Sequence, residues 1–236
     1  MYLLVTGFYA FLSHLDYLYA AVAAYLCGCF NGALFTSRLF FHDDVRTHGS
    51  GNAGLTNFYR TYGARYALLV IACDMLKAVA AVSLAAWLGA RFDPRMLPDL
   101  PLTAAEQAEY VLHFKYWAGF FCVVGHMFPC TAKFRGGKGI LCGGTLAWML
   151  GWKVGLVAWG LFAALWLLSK YVSLGSIFAG VSLTVSVFLF YGHNLLYTAL
   201  AFVISVLVVW CHRENINRLL HGTERKFKWH SGPPKE

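Results

Sequence analysis

The sequence predicts an all-α fold, a polytopic membrane helix bundle of about seven transmembrane helices. Three observations lead there: 59% of the 236 residues are hydrophobic, only 13% are charged, and the apolar residues gather into seven runs parted by short polar loops. A soluble domain carries roughly one-quarter charged residues, so most of this chain belongs in lipid. A spanning helix takes about 20 mostly apolar residues, which leaves room for one compact bundle covering 1–236 as a single domain and for no sizeable soluble one. Any chemistry is then built from helix ends and short loops.

The runs are 17–41, 62–88, 111–131, 140–150, 152–168, 174–191 and 195–211. Residues 1–15, ahead of the first, are also apolar and fit an extra helix lying on or entering the membrane. The second run carries Asp74 and Lys77, three apart and so on one helix face. An unpaired charge there costs about 2.5 to 3.5 kcal/mol or more, so they are expected to pair with each other or with a neighbouring helix. The third run closes at Gly125-His126-Met127-Phe128-Pro129. The fourth is too short to cross a hydrocarbon core of about 30 Å unaided and must tilt, pack or extend. The last run continues as a helix into a polar tail from about 212 to 236.

With the N-terminus outside and seven crossings, the loops at 42–61, 132–139 and 169–173 and the tail share one side. Of the 19 Lys and Arg, Arg91, Arg95, Lys115 and Lys153 fall on the other side and Lys77 within a helix, which leaves 14 on the first. The positive-inside rule makes that side cytoplasmic. It also accounts for the net charge of +8, since no nucleic-acid-binding motif surrounds the basic residues. The seven cysteines are odd in number and mostly apolar in setting, which argues against a disulfide framework. Cys27 and Cys29, two apart on a helix, point in widely different directions. The N-terminal apolar run continues beyond signal-peptide length. No metal or organic cofactor is implied, because the His and Cys residues form no ligand set.

Four stretches carry chemistry. Gly49-Ser50-Gly51-Asn52-Ala53-Gly54-Leu55-Thr56-Asn57-Phe58-Tyr59-Arg60 has the parts of an anion cradle. Its glycines let backbone N–H groups approach an oxyanion, Ser50, Thr56 and Asn57 add donors, and Arg60 adds charge. A helix starting near Gly54 would point its N-terminal dipole at the same anion. The second stretch follows His126 with Phe134-Arg135-Gly136-Gly137-Lys138-Gly139, glycine donors beside one ammonium, without the spacing of a nucleotide-binding Walker loop. His126 has the chemistry of an acid, a base or a hydrogen-bond donor. The third is a turn, Lys170 to Ser176, with Ser173 and Ser176 at a helix start, where Ser173 also suits a plain cap. The fourth runs from His212 through Asn215 and Arg218 to Glu224 and Lys226; His212 and Asn215 share a helix face.

Together these stretches resemble the bacterial acyl-phosphate:glycerol-3-phosphate acyltransferases. The likeness rests on GSGNxGxTNxxR at 49–60, GHxFP with FxGGKG at 125–139, HxxNIxRLxxGxExK at 212–226 and the SLxS turn at 173–176, and it spans nearly the whole chain. Leu55 stands for the usual alanine, Arg135 for lysine and Cys142 for threonine, and the external loop at 89–110 is long. The resemblance implies a membrane acyltransferase that moves a fatty acyl group from acyl phosphate to the 1-hydroxyl of sn-glycerol 3-phosphate, the first acylation of phospholipid synthesis. It implies catalytic roles for Ser50, Asn52, Arg60, His126 and Lys138. Substrate contacts fall to Gly49, Gly51, Thr56, Asn57, Gly136, Gly137, Ser173, Ser176, His212 and Asn215. Membrane lipid is a partner, the enzyme that makes acyl phosphate is a possible one, and nucleic acid is not.

An acyl phosphate is already activated, so positioning and electrostatics suffice and no nucleophile is needed. The proton acceptor stays open between His126 and a substrate phosphate oxygen, as does which phosphate each basic residue holds. None of the nine histidines is followed five residues later by aspartate, which weakens a thioester-dependent reading. The rival class is an organophosphate or anion transporter, although such proteins place binding groups near the midplane and often show repeats, which are not seen here.

Overall fold

The computed structural model describes residues 15–91, 103–192 and 194–228. Among them are α1 (Leu15–Cys29), α2 (Gly32–Phe41), α3 (Leu55–Tyr62), α4 (Ala64–Gly89), α5 (Ala104–Met127), α6 (Ile140–Leu150), α7 (Trp152–Ser169), α8 (Val172–Tyr191), α9 (Leu195–Cys211) and α10 (Arg213–Leu220), with 3₁₀ turns at Val45–Thr47 and Cys130–Ala132. The expected helix over 1–15 lies outside the described residues, apart from Leu15.

The first apolar run is two helices. Asn31 takes an extended backbone and its side chain accepts from Leu34 N–H at 2.9 Å, capping α2 and breaking the run after Phe30. α5 starts ahead of its apolar run because Thr103 and Glu106 form a capping box, and it stops at Met127, before Pro129. α6 keeps the expected bounds, and its 11 residues reach only about 16 Å. The last run was expected to continue as one helix into the tail, and it does not. It breaks at His212, and α10 leaves α9 with a bend of 56°.

Four stretches are long and apolar enough to cross a membrane, Leu15–Phe41, Ala64–Gly89, Trp152–Ser169 and Val172–Tyr191, and a fifth if the bent pair is one span. The expected seven exceeds this number for a physical reason. α6 is short, and α5 carries Glu106, Glu109 and Lys115 in its first half. The chain is a multi-pass membrane protein by these helices. Leu168, Leu189 and Leu195, at 85%, 70% and 80% exposed, are the kind of side chains such helices present to lipid.

α1 packs along α5, α4 along α1 and α5, and α6 wedges against α4 and α7, while α7, α8 and α9 follow in order. Where α1 and α5 cross, a Cβ on Gly28 would strike the Cys122 carbonyl and come within 3.0 Å of Gly125 Cα. Small residues at such crossings let backbones touch, which drives helix association in lipid. Cys29 is buried beside Cys130, with Sγ atoms 3.8 Å apart, while Cys27 is only half-buried, as their spacing predicts.

Candidate functional site

Three motif loops meet at one end of the bundle. The first, 48–54, lies between a 3₁₀ turn and α3. Gly49 and Gly51 have φ of 59° and 69°, the left-handed region that favours glycine. Its shape is fixed from beneath by Asn57, whose Oδ1 accepts from Ser50 N–H at 2.9 Å. Asn57 Nδ2 donates to the carbonyls of Val45, His48 and Asn52 at 2.9, 3.1 and 3.1 Å. Asn57 was expected to add a donor to an anion, but this side chain is buried and spent on its own loop. Ser50 is exposed at the rim, and Thr56 is half-buried in the first turn of α3. Gly54 begins α3 with no side-chain cap, so the first N–H groups of that helix are left for another acceptor.

The second loop folds back on the end of α5. Gly136 N–H donates to Met127 O and Gly137 N–H to His126 O, both at 3.1 Å. These two backbone donors, expected to face an anion, are therefore engaged. The uncapped start of α6 after Gly139 offers N–H groups in their place. Gly137 sits where the loops touch, since a Cβ there would strike His126 Nε2 and come within 2.9 Å of Ala53 O. Arg46 braces the same junction, with Nη1 donating to Ala132 O at 2.9 Å and to Arg135 O at 3.3 Å. Asp44 holds the Arg46 guanidinium at 2.7 Å, and those hydrogen bonds keep the Asp44 carboxyl well below the usual carboxylate range.

The tail closes the third side. Lys138 Nζ donates to Asn215 Oδ1. Asn215 Nδ2 passes the connection to Glu224 Oε1 at 2.8 Å. Ser173 Oγ also donates to Glu224 Oε1, at 2.7 Å, and Arg218 Nε donates to Glu224 Oε2 at 2.7 Å. Glu224 is thus the hub of a network in which sequence reasoning assigned it no role. Its signal was present as the acid that the closing motif specifies at 224, beside a second acid, Glu214, at a variable position. Arg60 Nη2 donates to Arg225 O at 3.1 Å, and Phe227 stacks on Tyr59 at 5.3 Å while its N–H donates to Lys170 O. Burial, then the nearby Arg218 charge, pulls the Lys138 ammonium down to about 8. For Glu224, burial raises the carboxyl, but the bonds from Arg218, Asn215 and Ser173 outweigh it and the net shift is downward.

Of the other expected residues, His212 is buried at the α9–α10 bend with Nδ1 2.8 Å from Val208 O. Ser176 is buried one turn into α8 and hydrogen-bonds to none of the network's described members. Asn52 Nδ2 reaches Gly136 O at 3.5 Å, a long contact between the first two loops. Among the described residues no group of three His, Cys, Asp or Glu side chains could hold a metal ion. An apolar cleft starts beside this polar end at Gly139 and Ile140 and runs between Gly143, Trp159, Leu183 and Ile204.

The arrangement can hold phosphate groups on Lys138, Arg60 and two helix N-termini, with apolar space adjoining. Residues 18–222 match the family model described as glycerol-3-phosphate acyltransferase. A glycerol-3-phosphate acyltransferase of Thermoanaerobacter sp. (strain X514) is 34% identical over 207 residues, covering 88% of this chain and 93% of that protein. One from Bacillus subtilis (strain 168) is 31% identical over 208 residues, covering 88% and 96%. The crystal structure of PlsY (YgiH), an integral membrane glycerol 3-phosphate acyltransferase, in its glycerol 3-phosphate form superposes with a TM-score of 0.73 at 30% identity, covering 90% of this chain and 96% of that one. Its lysophosphatidic acid form gives 0.71 at 28% identity. With its motifs gathered at one end of a multi-pass helix bundle, this chain belongs to the glycerol-3-phosphate acyltransferase family.

Proposed function

We propose that this protein transfers a fatty acyl group from an acyl phosphate to the 1-hydroxyl of sn-glycerol 3-phosphate, releasing phosphate and 1-acylglycerol 3-phosphate. The observation that carries the reading is the convergence of three basic loops on one polar network that opens onto an apolar cleft. Both substrates are phosphorylated and one has a long tail, so the reaction requires this combination. The two crystal forms of the solved relative, described as its glycerol 3-phosphate and lysophosphatidic acid forms, correspond to the acceptor and the product of this reaction.

In this reading Lys138, oriented by Asn215 and Glu224, holds glycerol 3-phosphate together with Ser173 and His212. The rim of the first loop, with Ser50, Gly51, Asn52 and the open start of α3, holds the acyl phosphate, and Arg60 stands between the two. The acyl tail lies in the cleft along α6. Catalysis is then positioning of the hydroxyl near the acyl carbon and stabilisation of the charge that develops on oxygen. The hydroxyl proton goes either to a phosphate oxygen of the donor or to His126. Seven crossings of a bacterial inner membrane, an outside N-terminus and a cytoplasmic site belong to the same proposal, supported by the loop distribution of Lys and Arg.

The test is acyl transfer by the purified protein, offered palmitoyl phosphate and radiolabelled glycerol 3-phosphate, with acyl-CoA and acyl carrier protein thioester as parallel donors. Product from acyl phosphate alone is expected. Product only from thioesters would overturn the donor assignment, and no product from any donor would overturn the reading as a whole.

A further inference from the structure

Asp74 and Lys77 form the buried pair expected from the sequence, with Lys77 Nζ 2.8 Å from Asp74 Oδ1 and side chains 2% and 4% exposed. Acyl transfer as described gives this pair no task. The ammonium has further partners: Phe30 O at 2.6 Å, Gly28 O at 3.4 Å and His126 Nδ1 at 2.7 Å. An ammonium only donates, so each of these atoms accepts. Asp74 Oδ1 is 3.7 Å from His126 Nδ1, beyond a hydrogen bond, and takes the Gly32 N–H at 3.2 Å instead.

With Nδ1 accepting, the neutral ring carries its proton on Nε2. That atom faces Gly137, at the point where Ala53 O closes in from the first loop. Among the described residues no hydrogen-bond acceptor meets Nε2. We propose that Lys77, clamped by Asp74, is a positioning residue that fixes His126 as the Nε2–H tautomer, so that His126 donates a hydrogen bond to an oxygen of the phosphorylated substrate at the loop junction. The inference rests on the acyl-transfer reading.

Two measurements on the full chain in lipid test this. The first is the ¹⁵N spectrum of histidine-labelled protein, with the His126→Gln variant used to assign the His126 signals. A protonated Nε2 and a bare Nδ1 are expected; the reverse tautomer overturns the inference whatever the activity. The second compares kcat and KM for wild type, His126→Ala, His126→Gln and Lys77→Met. Glutamine places an amide donor near the Nε2 position but has no basic nitrogen. His126→Ala is expected to lose about 10- to 100-fold in kcat/KM, the range for a hydrogen bond to a charged group, and His126→Gln to recover most of it. Lys77→Met is expected to resemble His126→Ala. If glutamine is as damaging as alanine, the donor role fails. Wild type that makes no product from acyl phosphate would instead condemn the functional reading, and the spectrum would still judge the tautomer.

Discussion

Replacing Glu224 by glutamine removes one charge from the centre of the polar network and keeps the size of the side chain. In the native protein Oε2 accepts from Arg218 Nε at 2.7 Å, and Oε1 accepts from both Asn215 and Ser173. Glutamine retains one oxygen for Asn215 and Ser173 but must turn an NH₂ toward Arg218, so the charged bond is lost and two donors face each other. A hydrogen bond to a charged group contributes about 1.5 to 3 kcal/mol. Because the Arg218 side chain is 34% exposed, solvent screens part of it, and the lower end applies. Since Asn215 links Glu224 to Lys138, the loss is felt at the site proposed for glycerol 3-phosphate. About 1.4 kcal/mol of uniform binding corresponds to a roughly tenfold rise in KM with kcat little changed. Initial rates over a range of glycerol 3-phosphate at saturating palmitoyl phosphate measure this directly. An unchanged KM would refute the coupling through Asn215, and a fall in kcat at constant KM would place Glu224 in the chemical step.

The Lys138 ammonium, held to about 8 by burial and by Arg218, carries its charge below that pH and loses it above. KM for glycerol 3-phosphate should therefore climb as pH rises past about 8, and Lys138→Arg should flatten the climb; a flat profile from about pH 7 to 9 in wild type would rule out Lys138 as the phosphate-holding cation. Asn57→Ala strips the acceptor of Ser50 N–H and the donor shared by three carbonyls. A cost of about 2 to 4 kcal/mol should appear as a drop of several degrees in the unfolding midpoint in detergent, and a midpoint within a degree of wild type would mean that the loop keeps its shape without Asn57.

Much of this site could be read before any coordinates because each motif is short and rich in glycine and charge, and because the topology drawn from apolar runs put all three on one side. The direction in which a donor points was not readable in the same way. Asn57, Gly136 and Gly137 are the right residue types for an anion cradle, yet tertiary contacts turn their donors onto neighbouring carbonyls. Glu224 went unassigned because an acid among basic residues looks like a solvated partner until Ser173, Asn215 and Arg218 are seen to converge on it. The break after Phe30 did have a local sign, an asparagine followed by glycine within an apolar run, and hydropathy averaged over it. The turn at His212 had none, since the polar residues beyond it suit a continued helix equally well.

The break between α1 and α2 also bears on the order of assembly. Hydrocarbon offers no partner to a bare carbonyl, and Gly28 O and Phe30 O are met by Lys77, a residue that leaves the ribosome well after them. The first two helices therefore remain unsettled until α4 enters the bilayer beside them. α4 brings its cation in with a counter-charge three residues earlier on the same helix, which lowers the cost of insertion. A nascent chain interrupted before Ala64 would therefore hold a broken first span whose Gly28 and Phe30 carbonyls lack their Lys77 partner.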